Sequence, residues 1–200
     1  DVSLNNRASV YVEASEKGSI TFNARNINIS GRSSLSAGIG KGLGSVDSQA
    51  GDITLNATGK INIAQSSRIK NNVNADAIGN AGNINIIANS LSLANNSELS
   101  TSTFGKGSAG NLIVSAKDFI SLADRSTIFS SVRAGAEGQG GNIDINAGSL
   151  SILSGAQLIA GIYEASENQK AGQGSSGNIN IKVDDAVLID GKKDGLASAI

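Results

Sequence analysis

Gly141-Asn-Ile-Asp-Ile-Asn-Ala147 decides the fold. A glycine opens the stretch, and Ile143, Ile145 and Ala147 follow at every second position. That spacing is the period of a β-strand with one buried face. Five more copies lie along the chain: Gly18-Ser-Ile-Thr-Phe-Asn-Ala, Gly51-Asp-Ile-Thr-Leu-Asn-Ala, Gly82-Asn-Ile-Asn-Ile-Ile-Ala, Gly110-Asn-Leu-Ile-Val-Ser-Ala and Gly177-Asn-Ile-Asn-Ile-Lys-Val. Their glycines are 33, 31, 28, 31 and 36 residues apart. A unit of this length, repeated with variation, is the mark of a solenoid.

Each copy is followed by a second, shorter alternation: Ile27/Ile29, Ile61/Ile63, Leu91/Leu93, Ile120/Leu122, Leu150/Ile152 and Val187/Ile189. A third apolar anchor comes six residues later, at Leu35, Ile69, Leu99, Ile128 and Leu158. Val2/Leu4 and Val10 place the start of the chain in the same frame. The second alternation begins one residue later after Gly51, Gly110 and Gly177 than after Gly18, Gly82 and Gly141, a difference that a bulge absorbs. Segments rich in glycine and serine, such as residues 38–50, 71–81, 105–109, 134–140 and 161–176, read as surface loops of variable length.

No repeat carries a helical period, so strands alternating with helices are excluded. Leu91-Ser-Leu-Ala-Asn-Asn96 looks like part of a leucine-rich repeat, but its asparagine does not recur in frame. Three short strands cannot close a core alone, so each must pair in parallel with its equivalents in the coils above and below. The expectation is an all-β, right-handed parallel β-helix with three short strands per coil and six to seven coils. Residues 1–200 form a single repeat segment in this reading. Equivalent side chains then stack in columns: Ile20, Ile53, Ile84, Leu112, Ile143, Ile179, and beside it Phe22, Leu55, Ile86, Val114, Ile145, Ile181. Asn83, Asn111, Asn142 and Asn178, each directly after a repeat glycine, are placed to form a hydrogen-bonded ladder, although asparagine also simply suits a turn.

Composition narrows the chemistry. The chain has no cysteine, so it has no disulfide, thiolate metal site or thiol nucleophile. It has no histidine, the commonest general base and transition-metal ligand. Charge is sparse and nearly balanced, with a net of −1, which gives no basic footprint for nucleic acid. There is no apolar run long enough to span a membrane as a helix. Asp1-Val2-Ser3-Leu4 already reads as a strand, so the chain reads as an internal stretch of a larger polypeptide.

Ala81-Gly-Asn-Ile-Asn-Ile86, Ser90 to Asn111 and Ala147-Gly-Ser-Leu-Ser-Ile-Leu-Ser-Gly-Ala-Gln-Leu158 resemble the repeat region of filamentous-haemagglutinin-like exoproteins, the cyanobacterial members above all. The resemblance covers nearly the whole chain. It implies a large secreted adhesin or filament of the two-partner secretion pathway, located outside the cell or on the bacterial surface. An outer-membrane transporter would be the parent protein's partner. The family's secretion domain carries Asn-Pro motifs; this chain has no proline, so the resemblance is to downstream rod. No catalytic or ligand motif is carried over.

The function expected is therefore a structural and adhesive rod segment that attaches to surfaces, cells or glycans. It is not expected to be an enzyme or to hold a cofactor or metal. Two other readings stand beside it: a β-helix polysaccharide lyase or hydrolase, and the stalk of a contact-dependent toxin-delivery protein. Asp184-Asp185 is the carboxylate pair that an enzyme would use, but Asp185 falls at a turn position shared with Asn26, Ser90, Asp118 and Ser149. Glu164 and Glu167 lie in the longest loop. Gly105-Lys-Gly-Ser-Ala-Gly110 and Gly172-Gln-Gly-Ser-Ser-Gly177 match a dinucleotide-binding glycine pattern but lead into strands, not helices. Gly140-Gly-Asn-Ile-Asp144 is a faint match to a calcium-binding repeat. Ser67-Arg-Ile-Lys70 has a Ser-x-x-Lys spacing without the helix that its chemistry needs. Tyr11 and Phe129 each follow a third anchor and are expected to point outward from one flank, where exposed aromatic rings would stack on sugars.

Overall fold

The computed structural model describes residues 1–165 and 167–200. Among them there is no helix; the chain is a β-solenoid of about five turns built from parallel, stacked strands. The first alternation pairs coil to coil in the register set by the glycines: Ile20 with Ile53, Ile53 with Ile84, Ile84 with Leu112, Leu112 with Ile143 and Ile143 with Ile179. The second stacks Val2, Ile27, Ile61, Leu91, Ile120, Leu150 and Val187. The third anchors, Val10, Leu35, Ile69, Leu99, Ile128 and Leu158, form a separate six-stranded sheet. These columns meet inside one continuous core.

The first two alternations are not separate strands everywhere. In the middle of the molecule they merge into the long strands Ile84–Leu93, Leu112–Leu122 and Ile143–Leu153. The one-residue difference in spacing is taken up between Ala116 and Phe119, where the register shifts against both neighbours. In the earlier coils a tight corner interrupts the strand instead, with Thr58 and Gly59 donating to the carbonyls of Ala24 and Arg25.

The repeat glycines answer to the closeness of the coils. A Cβ added at Gly82, Gly110, Gly141 or Gly177 would collide with the carbonyl of the preceding glycine in the column. In a second column, Gly79, Gly107, Gly138 and Gly174, the last three combine the same collision with left-handed backbone angles, φ 131° at Gly107 and Gly174, while a Cβ at Gly79 would meet Ser48.

Two ladders tie the corners together. The Oδ1 of Asp52, Asn83, Asn111 and Asn142 each accepts the backbone N–H of the next residue in the column, at 2.7–2.9 Å. The expected asparagine ladder thus exists, as side chain to backbone rather than amide to amide. The second ladder lies two residues before the third anchors. The N–H groups of Ser33, Ser67 and Ser97 donate to the hydroxyls of Ser67, Ser97 and Ser126, and all four serines are buried. Ala8 and Ala156 occupy the adjoining coils at that position. Inside the turn before each glycine, buried Asn71 and Ser130 bond the backbone of Gly51, Gly82 and Asn83, and of Gly110 and Gly141. These bonds satisfy peptide groups that the sheets leave unpaired.

Candidate functional site

The carboxylates that a hydrolytic reading requires do not converge. Asp184 and Asp185 turn the corner after Val183, where their amides donate to the carbonyls of Ala147 and Gly148 and their side chains lie in solvent. Glu164 and Glu167 are exposed on the far loop. Ser67 and Lys70 face opposite ways. The serine hydroxyl is buried in the ladder, whereas the Lys70 ammonium lies outside, 3.7 Å from Glu98. Asp144 accepts from the Asn180 amide at 2.7 Å. Among the described residues, no group of three or more Asp or Glu side chains is placed to hold a metal ion. The last two glycines of each dinucleotide-like pattern, Gly107 and Gly110, and Gly174 and Gly177, fall on the two glycine columns, and each pattern leads into a strand.

Tyr11 and Phe129 do share an outward column, running Tyr11, Ser36, Lys70, Ser100, Phe129, Ile159. Their surroundings differ. Tyr11 is 63 % exposed and donates its hydroxyl to Glu13 Oε2 at 2.9 Å. Accepting that proton, the Glu13 carboxylate raises the Tyr11 pKa above its usual value, with slight desolvation and like charge adding to the effect. Phe129 is only 9 % exposed, so it is not the open ring expected from its position; the guanidinium of Arg133 lies over it, 5.5 Å from the ring centre. Loop residues close over this part of the flank, which the alternation within the strand cannot foretell.

A concavity lies on the other flank. A groove of about 660 Å³ runs over the outward side of the second alternation, lined by Asn28, Asn62, Ser92, Lys60 and Phe119 among others. Lys60, Ser90 and Phe119 follow one another in one column. Phe119 stands at the bulge and is 45 % exposed. The groove floor is partly pre-ordered, since Asn62 Nδ2 donates to Asn28 Oδ1 at 2.8 Å. A flat apolar ring beside amides, hydroxyls and one ammonium is a surface suited to a sugar chain, which offers C–H faces and hydroxyls together. Phe119 was legible only as the residue at the extra turn position before Ile120; nothing in the sequence says that it faces outward.

No protein-family model matches the chain, and neither a curated protein nor a solved structure matches it.

Proposed function

We propose that this chain is a structural and adhesive rod segment of a large secreted cell-surface protein. In this reading its coils carry three short strands each, number six to seven, and wind with the right-handed sense of parallel crossovers. At about 4.8 Å per coil, such a segment is a rod on the order of 30 Å long. The observation that carries the reading is the groove beside Phe119, laid across five successive coils of the stack. A ligand spanning several coils is held by distributed contacts, the mode suited to attachment. The resemblance of Ser90–Asn111 and Ala147–Leu158 to filamentous-haemagglutinin-like repeats supports an exported parent protein that depends on an outer-membrane transporter.

The test is a glycan, cell and matrix binding screen with the purified chain. Glycan binding is expected, weakened about fivefold or more by Phe119→Ala, the loss of one stacked ring. Absence of binding to every surface retires adhesion and leaves a spacer role. Immunolabelling of the parent polypeptide on intact cells tests its location, and a purely cytoplasmic signal overturns the secreted reading.

A further inference from the structure

Arg133 sits in a stack that the strand pattern alone does not announce. Val73, Thr103 and Val132 are bridged coil to coil, and Val132 pairs with Ile162. The residues that follow them, Phe104, Arg133 and Tyr163, therefore occupy one column in consecutive coils. Each is fixed at its backbone: Phe104 N–H donates to Val73 O at 2.7 Å, Arg133 N–H to Thr103 O at 3.0 Å and Tyr163 N–H to Val132 O at 2.9 Å. The Tyr163 carbonyl also accepts from Gly172. The Arg133 guanidinium lies 3.7 Å from the centre of the Tyr163 ring, 5.4 Å from that of Phe104 and 5.5 Å from that of Phe129.

Three rings around the guanidinium hold it by cation–π attraction, Tyr163 the nearest of them. The guanidinium's hydrogen-bond donors all lie in its own plane, as a rigid fork. Among the described residues no carboxylate lies within ion-pair distance of it, in contrast to Arg25, Arg68 and Arg125. The site therefore presents an oriented, unneutralised two-pronged donor, the form that binds a planar carboxylate best. Phe104 and Ile162, 37 % and 39 % exposed, add apolar surface beside it.

We propose that Arg133, held by Phe104, Phe129 and Tyr163, binds the carboxylate of an acidic sugar in a polysaccharide lying along the stack. The proposal deepens the adhesive reading and takes its ligand class from it. The sugar's C–H face lies on the exposed edge of Phe104 while its carboxylate meets the guanidinium. An extended polymer is favoured over a small anion because the apolar and cationic groups span three coils, about 10 Å from first to last.

The experiment is calorimetric titration of the whole chain with a short oligogalacturonate, its methyl ester and polyglutamate. The acidic oligosaccharide is expected to bind, and the ester to bind at least about tenfold more weakly, because it loses the charge-assisted pair. Arg133→Lys keeps the charge but loses the planar fork, and is expected to fall to the level of the ester. Titration of the unaltered protein with the same oligosaccharide, followed through the Arg133 Nε–H resonance, gives a readout that does not depend on the variant's folding. No binding of the acidic oligosaccharide, equal binding of the ester, equal binding by the lysine variant or an unmoved Nε–H resonance overturns the proposal. Polyglutamate binding as tightly overturns the sugar and assigns the site to acidic peptides. Binding of the acidic oligosaccharide that is undiminished in Arg133→Lys but lost in Phe119→Ala removes this site and leaves the adhesive rod standing; no glycan binding at all removes both.

Discussion

Ile145 and Ile181 hold the same place in successive copies of one motif, Gly-Asn-Ile-Asp-Ile and Gly-Asn-Ile-Asn-Ile, and are paired in register. Ile145 is 2 % exposed, whereas Ile181 is only partly buried. The difference grows along the second alternation, where Ile152 is fully buried and Val187 and Ile189 are 49 % and 43 % exposed. The side chains are equivalent; the number of neighbouring coils is not. Within residues 1–200 a central coil is covered on both sides, and the coil after Gly177 on one. In a solenoid, burial belongs to the interface between units, so identical sequence contributes unequal stability according to position.

Truncations on the two sides of this comparison should diverge most. Ile86→Ala, in the fully buried middle, is expected to cost about 4 kcal/mol, and Ile181→Ala about 1 kcal/mol, by urea unfolding. Equal losses would mean that the last coil is covered in solution. The glycine columns come next. Gly110→Ala drives a methyl into the Gly82 carbonyl with coils fixed on both sides, and is expected to cost about 3 kcal/mol. Gly177→Ala meets the Gly141 carbonyl in the same way, but its coil has room to shift, so about 1 kcal/mol is expected.

Smaller effects sharpen the same contrast. Asn111→Ala strips the acceptor from the Asn142 N–H and is expected to cost about 1.5 kcal/mol. Asn178 Oδ1 accepts no bond from the described residues of this 200-residue chain, so Asn178→Ala in it should change stability by under about 0.5 kcal/mol. Amide exchange is expected to follow this order too, with amides of residues 179–190 exchanging before those of residues 84–93. The exposed Lys193–Asp124 pair, 2.7 Å apart, is expected to contribute about 0.5 kcal/mol at most and to lose that in salt. A midpoint unchanged between low and high salt in Lys193→Ala would confirm that the pair carries nothing else.

Much of the fold was legible, and for one reason. Every apolar column named from the repeat is found in register, because a period of two, followed by a step to the next strand whose one-residue variation a bulge absorbs, leaves inward residues no other place to go. The serine ladder was visible but unread: Ser33, Ser67, Ser97 and Ser126 each stand two residues before an anchor, yet a serine there looks like any turn residue until a neighbouring coil supplies its donor. The same holds for Asn71 and Ser130, whose partners lie across a turn.

The candidate surfaces were less legible. Tyr11 was found open, Phe129 covered, and Phe119 was missed. All three depend on what lies beside a strand rather than on its alternation. Periodicity alone determined the coil, its inward columns and its glycine corners, since backbone pairing and burial repeat at fixed spacing. Only the tertiary structure decided which outward rings meet water, because the register of the third sheet sets Phe104, Arg133 and Tyr163 in one column, and side-chain packing there lays the Arg133 guanidinium over Phe129. Contacts between coils are made at separations that the sequence varies freely, while the strands between them hold one register.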